Sequence, residues 1–279
     1  MATFATSDQL LVIIDPAARE TDGESVRIAK DVLSAGAATK VCMPDGPEEF
    51  ARVLARRGSR RPVVVGDDTA LVRAVSLLHR RRELAGCVLS MVPVGGALSV
   101  AHTLGVPAGA VAAARAVLDG VERRMDLLVD DSDGVVLGDL RIPPVTAAAQ
   151  VAETVAARGW LRPYQHLVRS LSAARPVPAV PRPPTRLRLE VDGETVVDLD
   201  QPVENISVTP GGRDGLAEVE VRRLSVGAEA TPVRAAGRTV TVTGADFRYR
   251  ADGGVAGPVR RRTWRVVEGA WGLTVPPSP

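Results

Sequence analysis

The sequence predicts an α/β half followed by an all-β half. Three observations predict it. Between residues 10 and 142, short apolar runs alternate with segments of helical spacing, the pattern of a doubly wound, mostly parallel sheet with helices on both faces. Residues 175–184 (RPVPAVPRPP) read as a stiff, extended linker. Beyond it, short runs of period-two alternation are punctuated by turn residues, as in an antiparallel β-sandwich or barrel-like domain. The expected division is residues 1–142 for an α/β domain and 143–279 for a helical hairpin plus the antiparallel β-domain. A cleft is expected between them, with a last strand able to return to the first domain.

The elements follow in order. Residues 10–15 (LLVIID) are continuously apolar, as expected of a strand buried on both faces. Helical spacing follows over about 25–35, and Gly36 can end that helix. Residues 40–44 read as a second strand, and a helix starts near Pro47 with Glu48 and Glu49 at the positive end of its dipole. Residues 62–66 (PVVVG) form a third strand and 69–82 a helix; 87–95 (CVLSMVPVG) form a fourth strand. Shorter helices are expected over 98–104 and 108–118, then strands over 124–131 and 134–142. Two helices, 146–158 and 163–175, flank a break at Gly159 and Trp160. The β-domain should hold strands over 185–191, 194–200, 203–209, 216–223, 238–244, 246–250 and 261–267. Asp192-Gly193 and Asp252-Gly253 are hairpin turn signals.

Composition narrows the function classes. At 279 residues, 45% hydrophobic and 24% charged, the chain suits two folded domains with a sizeable core. Aromatic residues are only 3%, so that core must be mostly Val, Leu and Ala. A net charge of +2 argues against nucleic acid as a partner. Lys30 and Lys40 are the only lysines among the cations, which with the Ala and Val richness matches a GC-rich bacterial genome. Cys42 and Cys87 read as buried free thiols, and three scattered histidines make no metal-ligand cluster. No signal-like stretch precedes the first strand, and no apolar run reaches the roughly 18 residues a membrane span needs. A cytoplasmic protein with at most peripheral membrane contact is expected, and a homo-oligomer is compatible with it. The runs Arg80-Arg81-Arg82 and Arg260-Arg261-Arg262 read as solvated faces able to meet anionic headgroups.

Two strand-turn-helix segments carry the chemistry. They are residues 63–75 (VVVGDDTALVRAV) and 92–107 (VPVGGALSVAHTLGVP). Such turns aim backbone N–H groups at whatever lies above the strand end, which suits phosphate. The first loop, Val65-Gly66-Asp67-Asp68-Thr69, resembles the Gly-Gly-Asp-Gly-Thr loop of the diacylglycerol kinase family, with Val65 and Asp68 in place of glycines. The second, from Pro93 through Gly95 and Gly96 to Ala101, resembles that family's Pro-Leu-Gly-Thr-Gly-Asn-Asp-Phe-Ala, with Leu98 and Ser99 in place of the Asn-Asp pair. Downstream, Leu104-Gly105-Val106-Pro107 also matches. Asp15-Pro16 stands where the family has Asn-Pro. Residues 213–219, with Asp214, resemble a segment linked to a structural magnesium site; residues 247–254 resemble the segment ending Asp-Gly-Glu, with Asp252 kept and Gly254 replacing the glutamate.

The resemblance implies ATP and Mg²⁺ as cofactors and a lipid or small-molecule alcohol as acceptor. It implies nucleotide binding by Asp15, Gly66, Asp67, Thr69, Gly95 and Gly96, magnesium at Asp214, and Asp252 as the general base. The substitutions bear on the phosphate pocket: Asp68 and Asp15 add negative charge, and Leu98 cannot replace an amide that donates and accepts. Three functions stay open from sequence: a kinase with reduced or lost activity, an active lipid kinase, and a non-catalytic binding or interaction module.

Overall fold

The computed structural model describes residues 9–144, 185–211, 215–224 and 231–277. The expected helices over 146–158 and 163–175, the proline-rich linker and Asp214 lie outside the described residues.

The first half alternates strand and helix. Its elements are β1 (Leu10–Ile14), α1 (Pro16–Thr21), α2 (Gly23–Gly36), β2 (Thr39–Cys42), α3 (Pro47–Ala55), β3 (Arg61–Gly66), α4 (Asp68–Arg80), β4 (Val88–Pro93), α5 (Ser99–Thr103) and α6 (Ala110–Asp119). The four strands run parallel in the order β2-β1-β3-β4. β1 is buried along its whole length, as its continuous apolar run requires. Helices α2 and α6 pack on each other, as do α3 and α4. Right-handed crossovers from this strand order put the two pairs on opposite faces.

The second half is antiparallel. It contains β5 (Val121–Asp130), β6 (Val135–Val136), β7 (Leu140–Ile142), β8 (Leu187–Val191), β9 (Glu194–Val197), β10 (Val203–Thr209), β11 (Ala217–Arg223), β12 (Val233–Gly237), β13 (Thr239–Ala251) and β14 (Gly254–Val275). Alternating burial along β8, β10 and β11 puts one face of each into the core. The halves share one sheet, because β14 pairs antiparallel with β13 and β5, and then parallel with β4 through Gly272 and Leu273. Two apolar cores result. One joins the parallel strands and their helices to Trp271 and Leu273; the other surrounds Trp264 and the β-domain strands. A register shift between Val267 and Trp271 separates the two ends of β14, with Gly269 at φ +52° inside it.

Several local readings change: the strand expected over 134–142 is two, β6 and β7, the one expected over 261–267 is part of the longer β14, and Cys42 is half-buried rather than buried. Helix α1 was not expected; Asp15 caps it and Pro16 takes the first turn, where proline's missing N–H costs nothing. β12 was not expected either, its Ala-Ala-Gly giving no β signal. The two short strands foreseen over 238–250 are one strand, β13, because a register irregularity between Thr243 and Phe247 bends it without ending it. Among the described residues, no helix is long and apolar enough to cross a membrane.

Candidate functional site

The parallel strands set the place. β1 has β2 on one side and β3 on the other, so successive connections leave it in opposite directions. The crevice at the carboxyl ends of β1 and β3 is then the topological switch point, where open α/β sheets bind ligands. Asp15 follows β1, while Gly66 ends β3 with Asp67 next in the chain.

Asp15 is buried and fully engaged. Its Oδ1 accepts from Ala17 N at 3.0 Å, and its Oδ2 accepts from Arg73 Nη1 at 2.7 Å. Arg73 in turn lies over the Phe50 ring, 5.6 Å from its centroid. Asp15 therefore caps α1 and forms an ion pair rather than standing as an isolated charge. Gly66 is fixed by packing: a Cβ there would lie 2.8 Å from Ala70 Cβ and 3.1 Å from Asp15 Cβ. Asp67 caps α4, accepting from Ala70 N at 3.1 Å. Gly95 sits at φ +125°, and a Cβ on it would come 3.3 Å from Asp67 Cβ. The two loops are thus in contact, and two backbone bonds join them: Val94 N to Gly66 O and Asp68 N to Ala97 O, each 2.8 Å. Thr69 and Gly96 stand exposed beside this cluster.

Asp68, expected to add negative charge to a phosphate pocket, is buried and engaged. Its carboxylate does not face an open pocket but is 2% exposed. Oδ2 accepts from Val100 N at 2.9 Å and Ser99 Oγ at 3.2 Å; Oδ1 accepts from Ala101 N at 2.9 Å. Helix α5 starts at Leu98, which offers no side-chain cap. Asp68 supplies that cap from 31 to 33 positions away in sequence. Asp68 thus makes up for the cap that Leu98 lacks. Burial pushes the Asp68 carboxyl above its ordinary pKa, against the lowering effect of the Ala101 and Val100 amides. The first amides of α5 are engaged by an internal carboxylate, so as arranged they do not fit an incoming phosphate unless Asp68 leaves.

Asp252 belongs to the other half. It occupies the β13–β14 turn at φ +46°, followed by Gly253 at φ +88°. Left-handed geometry at both central residues is what an Asp-Gly hairpin turn supplies. The side chain turns inward and is 9% exposed. It accepts from Leu137 N at 2.6 Å and Gly138 N at 2.7 Å. Burial raises its pKa from 3.8 to about 6, against those two amide bonds, with Asp139 adding to the rise. Gly138 is one contact between halves: a Cβ there would lie 3.1 Å from Val100 Cγ2 and 3.2 Å from Asp252 Oδ1. One side of Val100 thus holds Asp68 through its amide, and its side chain reaches Gly138, which holds Asp252.

The structure brings Asp15, Gly66, Asp67 and Gly95 into one cluster, with Thr69 and Gly96 at its rim. It sets Asp252 one residue layer away, across α5 and Gly138. Arg73, Val100, Leu137 and Gly138 were not singled out from sequence. Among the described residues, no group of three or more His, Cys, Asp or Glu is placed to hold a metal. A cavity of about 430 Å³ adjoins Leu137 and Gly138 and reaches Arg123, Asp126, Thr209 and Glu218.

No protein-family model matches the sequence, and no curated protein matches it. Solved structures do match. A diacylglycerol kinase from Bacillus anthracis strain Sterne superposes with a TM-score of 0.69 over 98% of both chains, at 12% identity. Two further structures from the same strain, described provisionally as diacylglycerol kinases, give TM-scores of 0.72 and 0.70 at 13% and 15% identity. They cover 98% and 97% of this chain, and 99% and 98% of their own lengths. The chain has the fold of these diacylglycerol kinases over nearly its whole length.

Proposed function

We propose that this chain is a diacylglycerol kinase-like protein in which ATP-dependent phosphoryl transfer to a lipid hydroxyl is reduced or lost, leaving a lipid- or small-molecule-binding role on the kinase fold. One observation carries the reading: the Asp68 carboxylate holds the amides that open α5. Nucleotide phosphate at this turn would either displace that cap or sit against it. Like charges about 4 Å apart cost about 4 kcal/mol at an effective dielectric of 20, close to three decades of affinity. Asp15 and its Arg73 partner add a second engaged pair in the same crevice. A small net charge and the absence of a membrane-crossing helix among the described residues fit peripheral contact with lipid at most.

Calorimetric titration of Mg-ATP into the wild-type protein and into Asp68→Gly tests this. The wild type should give no binding at millimolar ATP, and the variant should gain affinity. Micromolar binding to the wild type, together with phosphorylation of a diacylglycerol, would overturn the reading. It would favour instead an active lipid kinase with Asp252 as base, for which its raised pKa of about 6 is suited. In that case Asp252→Asn should abolish turnover and leave nucleotide binding intact.

A further inference from the structure

The cavity beside Leu137 and Gly138 is separate from the Asp68 cap and has its own chemistry. Its volume of about 430 Å³ lies within the roughly 300–1,000 Å³ typical of small-molecule sites. Among the described residues that line it, the large apolar side chains are Leu104, Met125 and Leu137. The rest of the described lining is charged, hydroxylic, proline or glycine.

The charged groups divide into fixed and free valences. Arg124 is anchored outward, its Nε and Nη2 donating to Gly269 O and its Nη1 to Ala85 O. Arg123 is held by Leu104 O and Met125 Sδ, and its Nη1 has no partner among the described residues. Asp126 Oδ1 accepts from Gly269 N at 2.7 Å, which fixes the side chain and leaves Oδ2 without a partner among the described residues. Glu218 lines the cavity with neither oxygen engaged among the described residues. One cavity therefore presents an anchored guanidinium with a free donor and two carboxylates with free acceptors. A side chain already held in place loses little freedom when a ligand docks. Among the described lining residues, the groups with free valences carry both signs, which matches a ligand that carries both signs.

We propose that this cavity binds a small zwitterion, with an ammonium group held by Glu218 and Asp126 and an acidic group held by Arg123. The inference does not depend on the state of the nucleotide site, because it uses none of the residues around Asp68. O-phosphoethanolamine is the probe, with ethanolamine and inorganic phosphate as its two halves, each titrated calorimetrically into the full chain. The zwitterion should bind about tenfold or more tightly than either half, and Glu218→Gln should weaken it about tenfold or more, the loss of one charge-assisted hydrogen bond. Glu218 is exposed, so its replacement should leave the thermal midpoint unchanged. Arg123→Gln should weaken the zwitterion and inorganic phosphate alike while ethanolamine binding is kept. No binding of O-phosphoethanolamine at tens of millimolar would overturn the proposal. So would phosphate alone binding as tightly, or Glu218→Gln leaving affinity unchanged. Vesicles containing phosphatidylethanolamine separate two sources of the ligand: Glu218-dependent cosedimentation assigns a lipid headgroup, and binding of the free compound alone assigns a soluble metabolite. Because the readout is independent of Mg-ATP, either idea can fail without the other.

Discussion

Two buried carboxylates use the same local chemistry in different parts of the molecule. Asp68 lies between the two loops of the α/β half, and Asp252 in the hairpin turn of the β half; each accepts from two successive backbone N–H groups. Asp68 joins segments of one half and completes a helix that lacks its own cap. Asp252 sits in a left-handed turn and ties down Leu137 and Gly138, which reach α5. The first is an internal carboxylate that caps a helix start. The second is a strut between halves that retains a titratable group. A buried carboxylate clamped by amides is thus compatible with a structural role in both places, and the amides that Asp252 holds, at Leu137 and Gly138, line a cavity.

The largest expected effect separates the two by removing the strut. Asp252→Ala leaves two buried amides without an acceptor and places a Cβ-bearing residue with no compensating bond at positive φ. The cost should be about 3 kcal/mol or more in urea denaturation. Asp252→Asn keeps one acceptor and tolerates the turn, so roughly half that loss is expected. If the alanine variant loses less than the Asp68 variant below, Asp252 is not the more demanding site.

pH provides the next test. The Asp252 carboxyl has a folded pKa of about 6 against 3.8, so the folded state holds its proton more tightly than the unfolded state. Between these values the unfolded chain has already released the proton, so stability falls as pH rises through the window. A difference of about two units is worth about 3 kcal/mol. The stability of the wild type relative to Asp252→Asn should fall by most of that amount, about 2 kcal/mol, between pH 4 and pH 6.5. A flat difference would show that burial does not perturb this carboxyl.

Removing the cap at the other site is expected to cost less. Asp68→Gly should destabilise by about 2 kcal/mol, because the opening amides of α5 lose their acceptor while no residue with a side chain is forced into a left-handed turn. Hydrogen exchange at Val100 and Ala101 should speed up, while exchange at Leu137 and Gly138 should not. The smallest effect probes the contact between the sites. Gly138→Ala pushes on both Val100 and Asp252 and should cost about 1 kcal/mol by overpacking. Faster exchange at Val100 in that variant would show that the two sites are mechanically coupled.

Much of the fold was legible. The apolar runs of β1, β3 and β4, and the helical spacing of α2, α3, α4 and α6, each carried a local signal that packing respected. The loop cluster was legible too, because Gly66 and Gly95 mark turns where a side chain does not fit. Helix α1 escaped because Asp15-Pro16 reads equally as a strand-end turn and as a cap with proline in the first turn. β12 escaped because its residues bear no β-branched alternation, and its pairing with β11 decides it. The role of Asp68 could not be read, since a carboxylate in a glycine-loop position signals repulsion of phosphate until its partners are known.

The sequence by itself determined the order of the elements, the change from period 3.6 to period two, and the positions of the tight turns, because these depend on neighbours a few residues apart. Tertiary structure alone decided what the acidic residues do. Asp15 meets Arg73 from 58 positions away, Asp68 meets amides 32 and 33 positions on, and Asp252 meets amides 114 and 115 positions back. Most of these partners are backbone N–H groups, which nearly every residue carries alike. No residue type announces such a partner, and only the folded chain brings it within reach.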